Sequence, residues 1–366
     1  MIVMKFGGTS VQDAAAIRKV IEIVRGRRDE KPLVVVSALA RVTRLLVEIS
    51  RTDRQDELLS ALRERHLSLC EELLEGELFI ETVEKVESLC SSIEGQHDTP
   101  AVISVGELLS STIVAAAMNA SGLPCVWADA REMIYTDGDR MSGRPDFGKT
   151  ASAIVSTVGG KDEVVLTQGF IASSEDGLPA VLGFEGSDYS AAIFGMALDA
   201  SRVEIWTDVD GIRTADPRLV GETCRILRIS YDEAAEMARL GARVLHPMTI
   251  YPARTRNIPI RVLNTGNPAC DGSWVVRDEE IPDGPKSVAL LTLEDSREIG
   301  SRALQGEAPG KSLVSVIGRN MGEAERLLVE SVASSEARLA PLSISATVDE
   351  SDAQRIVAQI HDKLFL

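Results

Sequence analysis

The sequence predicts an α/β protein built on a mainly parallel sheet with helices on both faces. Short apolar runs without polar alternation recur through roughly the first 270 residues, helical patterns separate them, and several strand ends run into turns rich in glycine and hydroxyl groups. Strands that are apolar throughout are buried on both faces, and strand–helix–strand alternation lays its crossover helices on the sheet.

In chain order, Ile2–Phe6, Leu33–Ser37, Cys125–Asp129, Val164–Thr167, Pro179–Leu182, Val203–Thr207 and Ile260–Leu263 read as strands. Ala14–Arg25, Thr43–Ile49, Gly106–Ala120, Ser187–Leu198 and Tyr231–Leu240 read as helices. Residues 51–94 are strongly charged, with Leu and Val at three- and four-residue spacing, which predicts a helical hairpin standing off the sheet as a lid or a dimer surface. A second unit begins near Asp283-Gly284-Pro285. There Val288–Leu293, Leu313–Ile317 and Leu342–Val348 read as strands and Gly322–Glu336 and Ser351–Leu364 as helices, with a polar connector over Glu294–Lys311. About 80 residues of α+β structure lie near the lower limit for an independent core, so this unit is expected to lean on a partner. The predicted domains are therefore 1–282, carrying the hairpin at 51–94, and 283–366.

A length of 366 residues accommodates two domains, and 44% apolar with 26% charged residues is ordinary for a soluble globular chain. The net charge of −17 argues against a nucleic-acid groove or an anionic membrane surface as partner. It leaves room for a local positive pocket, to which Lys5, Arg41, Arg213, Arg218 and Arg243 are candidates. Five scattered cysteines without a Cys-x-x-Cys pair or a histidine at ligand spacing suit a reduced cytosolic protein and no zinc site. The first four residues are too short for a signal-peptide core and no apolar run approaches about 18 residues, which predicts a cytoplasmic location.

The most informative segment is Lys5-Phe6-Gly7-Gly8-Thr9-Ser10, between the first strand and the first helix. Two glycines ahead of a helix leave bare N–H groups for an anion, and the lysine adds a full charge. The competing explanation is a structural Gly-Gly turn. Ser37-Ala38-Leu39-Ala40-Arg41-Val42-Thr43 is a second strand end, where Thr43 suits a helix N-cap. Ser104-Val105-Gly106-Glu107 reads as a third strand-to-helix turn, where the helix dipole alone would favour Glu107. Gly183-Phe184-Glu185-Gly186-Ser187-Asp188 opens a further helix. Trp206-Thr207-Asp208-Val209-Asp210-Gly211-Ile212, followed by Asp216-Pro217-Arg218, carries the turn pairs Asp-Gly and Asp-Pro. In open α/β sheets ligands bind at such strand ends. A lysine, several backbone turns, hydroxyls and a few carboxylates together suit phosphoryl transfer, in which positioning and charge neutralisation dominate. No H-R-D loop is present.

These segments resemble the amino-acid kinase family, and the aspartate kinases within it. The resemblance rests on Lys-Phe-Gly-Gly-Thr-Ser-Val at 5–11, Val-Val-Ser-Ala at 35–38, Gly-Glu-Leu-Leu-Ser at 106–110 and Gly-Phe-Ile-Ala at 169–172. It continues with Gly-Ser-Asp-Tyr-Ser-Ala-Ala at 186–192, Trp-Thr-Asp-Val-Asp-Gly-Ile at 206–212 and Ala-Asp-Pro-Arg at 215–218. Gly-Ala-Arg-Val-Leu-His-Pro at 241–247 and Ile-Pro-Ile-Arg-Val-Leu-Asn-Thr at 258–265 complete it. It implies a three-layer αβα kinase domain that moves the γ-phosphoryl of ATP, with Mg²⁺ on the phosphates and no protein metal site, to the side-chain carboxylate of L-aspartate. By position, Lys5 would neutralise the transferring phosphate, Gly7, Gly8 and Ser37 would donate around it, and Asp188 would organise the site. Thr43, Ser187 and Glu107 would line the acceptor pocket, with Glu107 pairing the α-ammonium. Thr207, Asp208, Arg213, Asp216, Arg218 and Arg243 would border the nucleotide.

The chain departs from the family inside the site. Where aspartate kinases read Gly-Arg-Gly-Gly-Ser-Asp, this chain has Phe184 and Glu185, which removes a carboxylate-clamping arginine and adds a negative charge. The second loop carries Ala40-Arg41 in place of Gly-Gly, so Arg41 is the candidate replacement from across the cleft. Arg213 stands where the family has Tyr, and Arg243 where it has Lys. The C-terminal unit resembles one small ACT domain with its nested partner deleted. Its short loop Gly318-Arg319-Asn320-Met321-Gly322 argues against lysine or threonine feedback and for dimerisation or higher assembly through that domain. Three readings follow: an aspartate kinase, a kinase of another small amino or carboxylic acid, and a catalytically weak regulatory or assembly subunit.

Overall fold

The computed structural model describes residues 1–183, 185–242, 245, 247–298, 303–305, 309–332 and 337–366. Two compact units are present, Met1–Asp208 with Leu263–Cys270, and Val209–Val262 with Asp271–Leu366.

The first unit contains β1 (Ile2–Phe6), α1 (Ala14–Arg25), β2 (Pro32–Val36), α2 (Val42–Arg51), α3 (Asp56–Leu73), α4 (Gly76–Ser91) and α5 (Thr99–Ala120). It continues through β3 (Cys125–Trp127), β4 (Tyr135–Thr136), α6 (Phe147–Val158), β5 (Val164–Gln168), β6 (Ile171–Ser174), β7 (Pro179–Val181), α7 (Gly186–Ala197) and β8 (Val203–Thr207). Its main strands are parallel, in the order β3-β5-β2-β1-β8, and β4-β6-β7 form a small separate sheet. The pleat sends alternate residues to opposite faces. Ile2, Met4 and Phe6 enter a core shared with α1 and α5, while α7 covers the other face and α6 packs against α7. Helices above and below one parallel sheet give the expected three-layer arrangement.

Three expectations change. The hairpin is real, as α3 and α4, but it does not stand off: Leu59, Leu62, Leu69, Cys70, Val86 and Cys90 belong to the main core and both helices pack on α5. Their apolar spacing is wide enough to bury a full face. Secondly, α5 begins at Thr99, with Pro100 in its first turn, so residues 104–107 are helix interior rather than a strand-to-helix turn. This helix is also long and apolar enough to span a membrane by composition, contrary to the expectation of no such run; 89% of that stretch is buried inside the protein. Thirdly, the 294–311 connector contains a helix, named below.

The second unit contains β9 (Arg228–Ser230), α8 (Tyr231–Arg239), α9 (Pro247–Arg256), β10 (Ile260–Asn264) and β11 (Ser273–Val276). Ser230 and Glu233 cap α8 reciprocally. It ends with β12 (Gly284–Thr292), α10 (Leu293–Glu298), β13 (Lys311–Arg319), α11 (Gly322–Ser331), β14 (Arg338–Ala340), β15 (Ser343–Asp349) and α12 (Glu350–Phe365). The last four strands form an antiparallel sheet, β12-β13-β15-β14, with Val288, Val314, Val316, Ile344 and Ala346 packing against Leu328, Val357 and Ile360. Glu336, the expected end of α11, lies outside the described residues.

Candidate active site

Lys5 lies on the α7 side of β1, opposite the face that carries Met4 and Phe6. Its Nζ meets Asp188 Oδ1, in the first turn of α7, at 2.5 Å, with both side chains close to nine-tenths buried. An ion pair this enclosed is held by the fold rather than by mutual attraction alone, because desolvation opposes it.

The glycine loop follows at once. Gly7 N–H donates to Trp206 O at 3.2 Å, and Gly8–Val11 form one 3₁₀ turn. Gly8 O accepts from Ala40 N–H at 3.1 Å. A β-carbon on Gly8 would fall 2.8 Å from Ala38 O and 3.2 Å from Ala40 N, so only glycine lets the two loops meet.

The Ser37–Ala40 loop is gripped from behind by α5. Ser110 Oγ donates to Ser37 O at 2.7 Å, and Gly106 lies so close to Ala38 and Leu46 that a β-carbon there would clash at 3.0 and 2.9 Å. Glu107 is 3% exposed; its Oε1 accepts from Ala38 N–H at 3.3 Å, while its Oε2 is buried without a partner. Burial pushes this carboxyl up to about 8, against the opposing pull of the backbone N–H groups of Ala38 and of Glu107 itself. A buried carboxyl with one unused oxygen suits a cationic ligand group.

Arg41 is the left-handed N-cap of α2 at φ 71° and exposed, and its side chain makes no ion pair among the described residues. Thr43 is therefore inside α2 and not its cap. Arg65 on α3 is held below the ordinary arginine range by burial first and then by the positive charge of Arg41. Sequence reasoning missed Arg65, since nothing local marks a helical arginine as facing another loop. Ser187 is buried on α7 and Glu185 is its left-handed N-cap at φ 52°. Phe184 lies outside the described residues.

The expected nucleotide residues divide between the units. Thr207 ends β8 and Asp208 follows it, where the Thr207 hydroxyl donates to Asp208 at 3.2 Å. In the second unit, Arg213 Nε donates to Thr223 Oγ1 at 2.9 Å, and Asp216 pairs with Arg218 at 2.5 Å. Arg243 lies outside the described residues. Among the described residues no cluster of three or more His, Cys, Asp or Glu could hold a metal ion.

Residues 1–264 match the amino acid kinase family. Lysine-sensitive aspartokinase 3 of Escherichia coli is 35% identical, over 85% of this chain and 73% of its own length. The aspartokinase of Chlamydia trachomatis is 36% identical, over 79% and 68%. Bifunctional aspartokinase/homoserine dehydrogenase 2 of Zea mays is 32% identical over 99% of this chain, and the chain spans about two fifths of that relative's length. Among solved structures, E. coli aspartokinase III in complex with aspartate and ADP superposes over the whole of both chains with a TM-score of 0.86 at 28% identity. The chain belongs to the amino acid kinase family and, within it, to the aspartate kinases.

Proposed function

We propose that the chain transfers the γ-phosphoryl of ATP to the side-chain carboxylate of L-aspartate, giving 4-phospho-L-aspartate and ADP. One observation carries the reading. The enclosed Lys5–Asp188 pair adjoins the Gly7-Gly8 loop, and that loop is pressed against the Ala38 segment, whose N–H donates to the half-satisfied Glu107 of α5. A phosphate-binding end and an ammonium-binding end thus share one loop contact. A carboxylate oxygen attacks the γ-phosphorus, the bond to the ADP oxygen breaks, and the acceptor is already ionised, so no general base is required. Lys5 offsets charge on the phosphoryl oxygens, Asp188 holds Lys5 in place, and the Gly7 and Gly8 region offers backbone donors. Mg²⁺, carried on the nucleotide phosphates, would neutralise further charge there. Ser37, Thr43 and Ser187 line the acceptor side, and Thr207, Asp208, Arg213, Asp216, Arg218 and Arg243 serve the nucleotide. The complex of E. coli aspartokinase III with aspartate and ADP supports this assignment.

A second reading keeps the chemistry and changes the acceptor. Phe184 and Glu185 replace the family's arginine and glycine, which disfavours an α-carboxylate, while Arg41 with Arg65 supplies charge from the other loop. The two arginines fit an acceptor whose second acidic group is placed differently. Residues 283–366 would act as a single ACT-like domain through which copies assemble, on a kinase domain of residues 1–282 in the cytoplasm. ADP release across a panel of amino and dicarboxylic acids tests the proposal. Turnover with aspartate supports the first reading, turnover with only another acid supports the second, and no turnover with any acid sinks both.

A further inference from the structure

The Ile258–Thr265 motif has no part in the chemistry above, yet its last residue reaches the phosphate loop. Ser10 Oγ and Thr265 Oγ1 lie 2.7 Å apart across 255 positions of sequence, and the two residues are only 3% and 6% exposed. Thr265 N–H also donates to Thr207 O at 2.9 Å. Ser10 N–H in turn donates to Gly7 O at 2.9 Å, closing the turn that contains Gly8. One residue therefore joins the end of β8 to the glycine loop that follows β1.

Thr265 is itself fixed on both sides. Leu263 is buried in the main core, and Asn264 closes a turn by accepting Gly266 N–H on its side chain at 2.7 Å and Asn267 N–H on its carbonyl at 3.1 Å. Two buried hydroxyls facing one another add little net stability over a well-packed apolar pair, since each gives up water to bond the other. What the bond does supply is direction: it sets where the Gly8–Val11 turn sits relative to β8. We infer that Thr265 is a positioning residue for the phosphate loop, acting through Ser10 to hold the backbone of Gly7 and Gly8 where the nucleotide's phosphates bind. The inference rests on the proposed phosphate role of that loop.

The test compares Thr265→Val, Ser10→Ala, the double variant, Thr265→Ser and Gly8→Ala. KM for ATP and for the acceptor, ADP affinity by calorimetry and thermal midpoints are measured for each. Thr265→Val is expected to raise KM for ATP and weaken ADP binding by about three- to tenfold, the worth of one hydrogen bond. The acceptor KM should stay within about twofold, Thr265→Ser should restore nucleotide affinity, and the double variant should be no worse than the poorer single one. A lower thermal midpoint in Thr265→Val with unchanged nucleotide affinity overturns the inference, as do single effects that simply multiply. If Gly8→Ala also leaves ADP binding unchanged, the phosphate-loop reading fails and the inference falls with it. If Gly8→Ala weakens ADP and Thr265→Val does not, only the inference falls.

Discussion

Replacing Glu107 by Gln should stabilise the free protein at neutral pH and at the same time weaken its hold on an amino-acid acceptor. The side chain is 3% exposed, one carboxyl oxygen is without a partner, and burial lifts its titration from the ordinary 4.5 to about 8. Because the folded value is the higher one, the native state holds more protons than the unfolded chain between about pH 4.5 and 8. Stability must therefore fall as pH rises through that window. From 4.5 to pH 7, at about 1.36 kcal/mol per pH unit, the accumulated penalty is at most about 3.4 kcal/mol, and at pH 4.5 it is under about 0.5 kcal/mol. Glutamine keeps the shape and an oxygen for Ala38 N–H, and its amide replaces the carboxyl O–H without titrating. Urea unfolding of both proteins at pH 4.5, 6, 7 and 8 measures the difference. Glu107→Gln should gain nothing at pH 4.5 and the most at pH 8. Its acceptor KM should rise about ten- to a hundredfold, the worth of a charge-assisted pair of about 1.5–3 kcal/mol. Identical pH profiles for the two proteins would refute the reasoning, because Glu107 would then be ionised already and neutralised by some other group.

Lys5→Met leaves Asp188 enclosed without its cation and should lower kcat by at least about a hundredfold, with weaker ADP binding in calorimetry. Asp188→Asn frees Lys5 from its partner and should lower kcat by a similar factor while ADP affinity changes little. Gly8→Ala must push the two loops apart, since its methyl would lie 2.8 Å from Ala38 O; a loss of about 1–3 kcal/mol in urea unfolding is expected. Arg41→Ala should raise the acceptor KM by about tenfold or more without altering KM for ATP, and Phe184→Arg should improve aspartate relative to other acids; an unchanged acceptor KM in Arg41→Ala would remove Arg41 from the site.

The parts of the site legible in the sequence are those made of consecutive residues. Lys5 through Ser10 combine charge, glycines and a strand-to-helix change within one short run, so the anion-binding potential is local and readable. Ser37 and Asp208 were placed at strand ends for the same reason. Gly106 interrupts the apolar run and so suggests a turn at Glu107, whereas the signal for the true start lies earlier, at Thr99-Pro100. A hydroxyl before an apolar run suits a cap, which points to Thr43, while the chain turns at Arg41 with a positive φ. In the hairpin the helical spacing was correct, and the burial of its apolar face was missed because a charged surface says nothing about what the opposite side meets.

By itself the sequence determined the α/β class, the parallel strands and membership of the aspartate kinases, and it marked Lys5–Ser10 as an anion-binding candidate, since periodicity, turn chemistry and motif order are properties of neighbouring residues. Only the tertiary structure decided which of those residues act together. Lys5 meets Asp188, Glu107 meets Ala38 and Ser10 meets Thr265 through contacts between residues far apart in the chain. The same is true of Glu107's raised titration, because desolvation depends on everything packed around a group, and packing density is a property of the folded whole.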